Sequence, residues 1–372
     1  MILYENKKIM AKNKKIKILC VVGARPNFIK ITPFIKELKK YPKFQPIIVH
    51  TGQHYDYKMS GTFFKELDIP KPNYNLGIKA GLHGEQTGKT MIEFEKVCLK
   101  EKPDLVVVVG DVNSTLAGAL VAAKLHIPVA HIEAGLRSFD KTMPEEINRV
   151  LTDHLSDILF CPTKTAVKNL KNEGIKKNIY NVGDLMYDVF LKKIKFIQTE
   201  SKIIEKLNLK PKEYALLTIH RASNVDNPEK LKKILKAVQS TGEKIIFPVH
   251  PRTKKQIEKL KLLHTCQLTN FQLIEPLGYF DMLMLEKNAK RIITDSGGVQ
   301  KEAYWLKIPC ITLRNKTEWV ETTKNKWNIL VGDQIQKKFN FINHFKPPTK
   351  QLKYFGQGHA AQKILKIIKQ KI

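Results

Sequence analysis

Three acidic positions stand where a parallel sheet could bring them together. Gly110-Asp111 closes one aliphatic run and His131-Ile132-Glu133-Ala134-Gly135-Leu136-Arg137 closes the next. Met143-Pro144-Glu145-Glu146-Ile147-Asn148-Arg149 then opens a segment of helical period with proline near its first turn. Carboxylates gathered on one sheet edge repel each other and lose water, which raises some of their pKa values and equips a site for proton transfer. Taken singly, Glu145 also reads as a helix cap and Asp111 as half of a salt bridge. Glu145 and Glu146 are neighbours turned about 100° apart on a helix, so only one of them faces a cleft easily.

Other residues suit an anionic ligand. Gly23-Ala24-Arg25-Pro26-Asn27-Phe28-Ile29-Lys30 is a glycine turn feeding a helix, with Arg25 and Lys30 around the first turns. Helix amino termini attract anions, and two cations there deepen the well for a phosphate. His220-Arg221 and His250-Pro251-Arg252 each end a strand-like run, a pattern that fits an anion, although a lone histidine is more often structural. Thr294-Asp295-Ser296-Gly297-Gly298-Val299-Gln300-Lys301-Glu302 ends a strand and starts a helix. Its glycines let backbone amides approach a diphosphate, Ser296 offers a hydroxyl, and Glu302 one turn on can grip a ribose diol. No G-x-G-x-x-G follows the first strand, so a dinucleotide fingerprint is not supported. Gly84 to Thr90 has three residues between its glycines where a P-loop has four. The histidine, cysteine and carboxylate spacings match no metal site.

These residues need elements to hold them. Short aliphatic runs alternate with amphipathic segments, the rhythm of parallel strands covered by helices. Strands are expected at 17–23, 46–51, 104–110, 129–133, 158–161 and 179–182, with helices at 28–40, 114–125, 144–156 and 164–173. The series restarts with strands at 214–219, 244–249, 271–274, 291–294, 310–312 and 329–331, and one last helix is expected at 359–371. The economical reading is α/β with two similar domains: 1–185, 186–355, and a C-terminal helix, 356–372, packing back on the first. The boundary falls in 183–211, which is lysine-rich and lacks a strand.

Composition bounds the rest. With 372 residues, 42% hydrophobic and 27% charged, the chain has the balance of a globular protein, and its longest aliphatic run, Leu105 to Val109, is far short of a membrane span. The lysine-rich start lacks a signal-peptide core, and Met10 offers an alternative initiator. The expectation is a cytoplasmic enzyme or binding protein that engages no membrane. The five cysteines form no C-x-x-C pair and read as buried thiols. The net charge of +30 invites a nucleic-acid reading, but the lysines are scattered and no recognition motif accompanies them. Only seven of the 65 basic residues are arginine, so arginine marks places where a guanidinium is wanted.

In combination and order, the Gly-Ala-Arg-Pro turn, Thr51-Gly52-Gln53-His54, Gly110-Asp111, His131 to Arg137, Pro144 to Arg149, His220-Arg221 and Asp295 to Gly298 resemble the non-hydrolysing UDP-N-acetylglucosamine 2-epimerases. The resemblance runs from about Lys17 to Gly332. It implies a glycosyltransferase-B type fold, two Rossmann-like domains facing a cleft, usually as a homodimer. It also implies inversion at C2 of a UDP-2-acetamido sugar without a cofactor, through elimination of UDP to 2-acetamidoglucal and re-addition. Asp111, Glu133 and Glu145 would take the carboxylate roles, and His220 would act as an acid or UDP contact. Arg25 and Lys30 would line the cleft, and Ser296, Gly297, Gly298 and Glu302 would hold diphosphate and ribose. Gln53 and His54, with His250 as a further candidate, would belong to a second, regulatory nucleotide-sugar site.

Two departures touch the sugar. Many family members carry Thr-Glu-Arg-Pro-Glu where this chain has Thr317-Glu318-Trp319-Val320-Glu321, and Gly-Thr-Arg-Pro-Glu where it has Gly-Ala-Arg-Pro-Asn. Both variants look like the branch that includes epimerases of UDP-2,3-diacetamido-2,3-dideoxyglucuronate. A glycosyltransferase of the same fold and a hydrolysing epimerase are the remaining rivals. Three clustered carboxylates argue against the former.

Overall fold

A computed structural model describes residues 15–52, 66–79, 81–262, 268–324, 326–335, 338 and 345–372. The chain divides into two compact units, Met1–Leu191 with Lys353–Ile372, and Lys192–Leu352. The expected limits were 185 and 355.

The first unit runs β1 (Ile16–Val22), α1 (Arg25–Leu38), β2 (Phe44–His50), β3 (Tyr74–Asn75), α2 (His83–Glu101), β4 (Leu105–Val109), α3 (Asn113–Lys124), β5 (Val129–Ile132), α4 (Pro144–Leu155), β6 (Ile158–Cys161), α5 (Lys164–Asn172), β7 (Ile179–Asn181) and α6 (Leu185–Lys193). Its sheet has the order β3-β2-β1-β4-β5-β6-β7, and every pairing is parallel. Strands covered on both faces become continuous apolar runs. All five residues of β4 are fully buried accordingly. Phe94 of α2 packs into the same core and is wholly shielded, which contributes roughly 1.5–3 kcal/mol by area.

The second unit repeats the plan with β8 (Tyr214–Thr218), α7 (Pro228–Gln239), β9 (Lys244–Pro248), α8 (Pro251–Lys259), β10 (Phe271–Ile274), α9 (Tyr279–Asn288), β11 (Arg291–Thr294), α10 (Gly297–Leu306), β12 (Cys310–Thr312) and β13 (Asn328–Leu330). The order β10-β9-β8-β11-β12-β13 is again all parallel. In each sheet the order reverses beside the first strand, between β1 and β4 and between β8 and β11. A crevice opens beyond the strand ends at such a switch point, and ligands bind there. The C-terminal helix α11 (Ala360–Lys371) belongs to the first unit, where the Ala361 N–H donates to Asp188 Oδ2 at 3.0 Å.

Two local differences have clear causes. The helix expected from residue 28 starts at Arg25, because the Asn27 side chain accepts the Ala24 N–H at 2.9 Å and closes the first turn without a serine or threonine cap. β3, only two residues long, carries too little pattern to be read in advance. The Gly84 to Thr90 stretch opens α2 and forms no phosphate-cradling loop. Among the described residues, no helix is long and apolar enough to cross a membrane.

Candidate active site

In the first unit β4 and β5 lie side by side, with Val109 opposite Ile132, so Asp111 and Glu133 leave neighbouring strand ends. Glu133 adopts a left-handed backbone, φ 75°, as does Gly110, φ 71°. A left-handed non-glycine is uncommon and must be held by its surroundings. The Glu133 side chain pairs with Lys30 Nζ, and a Cβ at Gly110 would stand 3.4 Å from Glu133 Oε2 and 3.5 Å from Lys30 Nζ. Burial pulls the Lys30 ammonium down, but the charges of Glu133, Asp111 and Asp184 outweigh it and hold its pKa above the usual lysine value.

Asp111 is clamped by α4. Arg149 Nη2 pairs with Asp111 Oδ2, Arg149 Nη1 donates to Glu146 at 2.8 Å, and Asn148 Nδ2 donates to the Asp111 carbonyl at 3.0 Å. Glu146 is 3% exposed and also accepts the Ser138 and Phe139 N–H groups at 2.9 Å each. Of the two adjacent glutamates Glu146 is therefore the scaffold. Glu145 is half-buried on the first turn and makes no hydrogen bond or ion pair among the described residues.

Beside two of the three expected carboxylates stands a further one, Asp184, that sequence reasoning passed over. The structure gathers Asp111, Glu133 and Asp184 around Lys30, because Gly183-Asp184 follows β7 as Gly110-Asp111 follows β4. A small cavity is lined by Lys30, Glu133, Pro162, Gly183 and Asp184. The repeated Val-Gly-Asp at 109–111 and 182–184 was the available signal. Lys30, expected to meet a phosphate, here pairs with the Glu133 carboxylate. Arg25 is the first residue of α1, and its side chain lies outside the described residues, as do Gln53 and His54.

In the second unit the site grows from a buried carboxylate to which sequence reasoning gave no role. Asp295, fully buried at the end of β11, accepts the N–H groups of His220 at 3.1 Å and Arg221 at 3.0 Å and the Asn224 side-chain amide at 3.1 Å. It also meets His220 Nδ1 at 3.2 Å. The His220 ring, 41% exposed, lies 5.8 Å from that of His250, which caps α8 by accepting the Arg252 N–H. Ser296 caps α10. A Cβ on Gly297 would approach Glu318 Oε1 to 2.8 Å and Trp319 Nε1 to 3.1 Å, so the Thr317 to Glu321 segment borders the helix start and a side chain there would displace Glu318. Glu302 is 6% exposed, and burial followed by the Glu302 charge raises the Tyr279 hydroxyl well above its ordinary pKa.

The model of the UDP-N-acetylglucosamine 2-epimerases matches residues 36–369. The chain belongs to this family. A UDP-N-acetylglucosamine 2-epimerase homolog of Methanococcus maripaludis is 56% identical over 95% of this chain and 99% of its own. A UDP-2,3-diacetamido-2,3-dideoxy-D-glucuronate 2-epimerase of Pseudomonas aeruginosa is 49% identical over 85% of this chain and 88% of its own. The crystal structure of the Methanocaldococcus jannaschii UDP-GlcNAc 2-epimerase in complex with UDP-GlcNAc and UDP superposes with a TM-score of 0.90, at 48% identity, covering 95% of this chain and all of that one. As an epimerase-family member the chain has the glycosyltransferase-B type of unit in both halves. Its candidate residues sit at both switch points.

Proposed function

We propose that the protein interconverts UDP-N-acetylglucosamine and UDP-N-acetylmannosamine by inverting C2. The observation that carries this reading is the Asp111, Glu133 and Lys30 cluster at the switch point of a family member whose solved relative holds UDP-GlcNAc and UDP. The C2 proton is not next to a carbonyl, and it becomes acidic only as the bond from C1 to diphosphate breaks and positive charge grows at C1. UDP leaves first, giving 2-acetamidoglucal, and re-addition with protonation from the other face gives the 2-epimer. Glu133, at the end of β5 and paired with Lys30, takes the role of the base. Asp111, locked by Arg149, supports the opposite proton transfer, with Glu145 as a further acid. His220 assists the departing UDP, Ser296, Gly297 and Gly298 offer a helix start for its diphosphate, and Glu302 takes the ribose.

A second substrate, UDP-2,3-diacetamido-2,3-dideoxyglucuronate, is favoured by the Pseudomonas relative and by Trp319 beside the α10 start. Incubating the protein with each UDP-sugar, with no nicotinamide cofactor added, and following the anomeric proton by NMR decides between them. A new 2-epimer signal from UDP-GlcNAc supports the first reading. Turnover of the diacetamido sugar alone supports the second, and turnover of neither refutes both.

We further assign a homodimer to the protein. α4 is inverted, with Glu146, Asn148, Arg149, Thr152 and Asp153 inward and Ile147 and Leu151 exposed, which leaves an apolar stripe for a second copy. A monomeric mass in solution would refute it. Cytoplasmic residence fits Cys20, Cys98, Cys161 and Cys310, all buried free thiols.

A further inference from the structure

Asp153 lies on the inward face of α4, 1% exposed, and both of its oxygens are engaged. Oδ1 meets His131 Nδ1 at 2.7 Å, while Oδ2 accepts the Gly135 N–H at 3.0 Å and Arg137 Nη1 at 2.6 Å. Burial alone would push the Asp153 carboxyl up, but the charges and hydrogen bonds of His131 and Arg137 outweigh it and hold it below its ordinary value. It is therefore a carboxylate that only accepts. The His131 ring, fully buried on β5, turns its other nitrogen, Nε2, to the Gly110 carbonyl at 2.8 Å. A carbonyl also only accepts, so both ring nitrogens donate.

This network fastens the two turns that carry the acids. Gly110 precedes Asp111 and is left-handed; Gly135 follows Glu133 by two residues and is left-handed too, φ 79°. Glu133 between them is a left-handed non-glycine, a conformation that persists only when neighbours determine it. Through the Gly110 carbonyl and the Gly135 N–H, one buried carboxylate and one imidazole tie the end of β4 to the end of β5. A reaction that takes a proton from one face of C2 and returns it to the other needs that spacing fixed. We propose that His131 and Asp153 are positioning residues that set the separation of Asp111 and Glu133 without touching the sugar. This inference rests on the C2 epimerase reading.

The test compares His131→Gln, His131→Asn and Asp153→Asn with wild type. A glutamine amide can take the place of Nε2 and donate to Gly110, whereas asparagine reaches only the place of Nδ1. Misplacement of reacting groups by about 1 Å costs on the order of 10²-fold, so kcat should fall about 10²-fold in His131→Asn and roughly 10-fold or less in His131→Gln. KM should stay within a small factor of wild type in both. Equal losses in the two variants, or a loss carried by KM, would overturn the positioning role, since a general packing defect does not distinguish the two amides. Asp153→Asn, which keeps size but removes the charge, should resemble His131→Asn. Should these variants fail to fold, the intact protein still decides. Nitrogen-15 histidine NMR should show one imidazole with slowly exchanging protons on both nitrogens, assigned to His131, and a single ring N–H there would overturn the proposal. A wild type inactive on both UDP-sugars overturns the reaction itself and the role with it, whereas an active wild type with equal amide variants overturns the positioning alone.

Discussion

Replacing Gly110 by alanine separates backbone strain from the geometry of the site. Alanine in the left-handed region costs roughly 1–2 kcal/mol, and at about 2–4 °C per kcal/mol for a unit of this size the melting temperature should drop by roughly 2–8 °C. Gly174, φ 86°, is the matched control, because a Cβ there meets nothing within 4 Å. Gly174→Ala should bear the same strain and leave turnover intact. At Gly110 the new methyl would stand 3.3 Å from Asn27 Nδ2, 3.4 Å from Glu133 Oε2 and 3.5 Å from Lys30 Nζ. Asn27 cannot move freely, since Nδ2 donates to the Val109 carbonyl at 2.8 Å and Oδ1 closes the start of α1. Only the Asn27 contact is tight, those to Glu133 and Lys30 being ordinary van der Waals contacts, so the turn at Gly110 and Asp111 must give, and kcat should fall toward the 10²-fold that a misplaced catalytic group costs. Thermal melts of both variants, with kcat and KM measured well below either midpoint, supply the comparison. If Gly110→Ala turns over as fast as Gly174→Ala, the turn that carries Asp111 is not where the chemistry is set.

Further outcomes follow from other parts of the molecule. Glu145→Gln should leave the melting temperature unchanged while lowering kcat by roughly 10²-fold, whereas Glu146→Gln should lower the melting temperature by weakening the clamp on Ser138, Phe139 and Arg149; an active Glu145→Gln would remove Glu145 from the mechanism. Asp295→Ala strips an acceptor from the His220 and Arg221 N–H groups and the Asn224 amide, so at about 1–3 kcal/mol for each buried group left unmade it should destabilise by about 3 kcal/mol or more, read from the unfolding midpoint. Burial and then the charge of Glu302 hold the Glu286 carboxyl well above its ordinary value, so the folded protein keeps a proton that the unfolded chain releases, and stability falls as pH rises past the ordinary carboxylate value of 4.5. Neither Glu286 oxygen meets a donor among the described residues, and Glu286→Leu should raise the melting temperature more at neutral pH than near 4.5; an equal gain at both would contradict this.

Much of the fold was legible because parallel strands buried on both faces become unbroken apolar runs, as β4 shows, and because each run ends in residues that suit a switch point. The rarity of arginine carried information as well: Arg137, Arg149, Arg291 and Arg314 are buried against carboxylates. The inverted face of α4 was not legible. The helix turns its charged side inward because Asp111, His131 and Arg137 find partners there, which leaves Ile147 and Leu151 exposed. Asp184 was passed over because its Gly-Asp turn coincided with the expected domain boundary. His131 and Asp153, 22 residues apart, meet only through the register of β5 and the approach of α4, which no local pattern records.

The central claim, that the C2 proton is removed and replaced while UDP departs and returns, is tested most directly by isotope exchange. The protein incubated with UDP-N-acetylglucosamine in deuterated water, without added cofactor, should yield UDP-N-acetylmannosamine carrying one deuterium at C2, seen as a one-unit mass increase and loss of the C2 proton signal. Product that retains the original hydrogen at C2 would contradict the account.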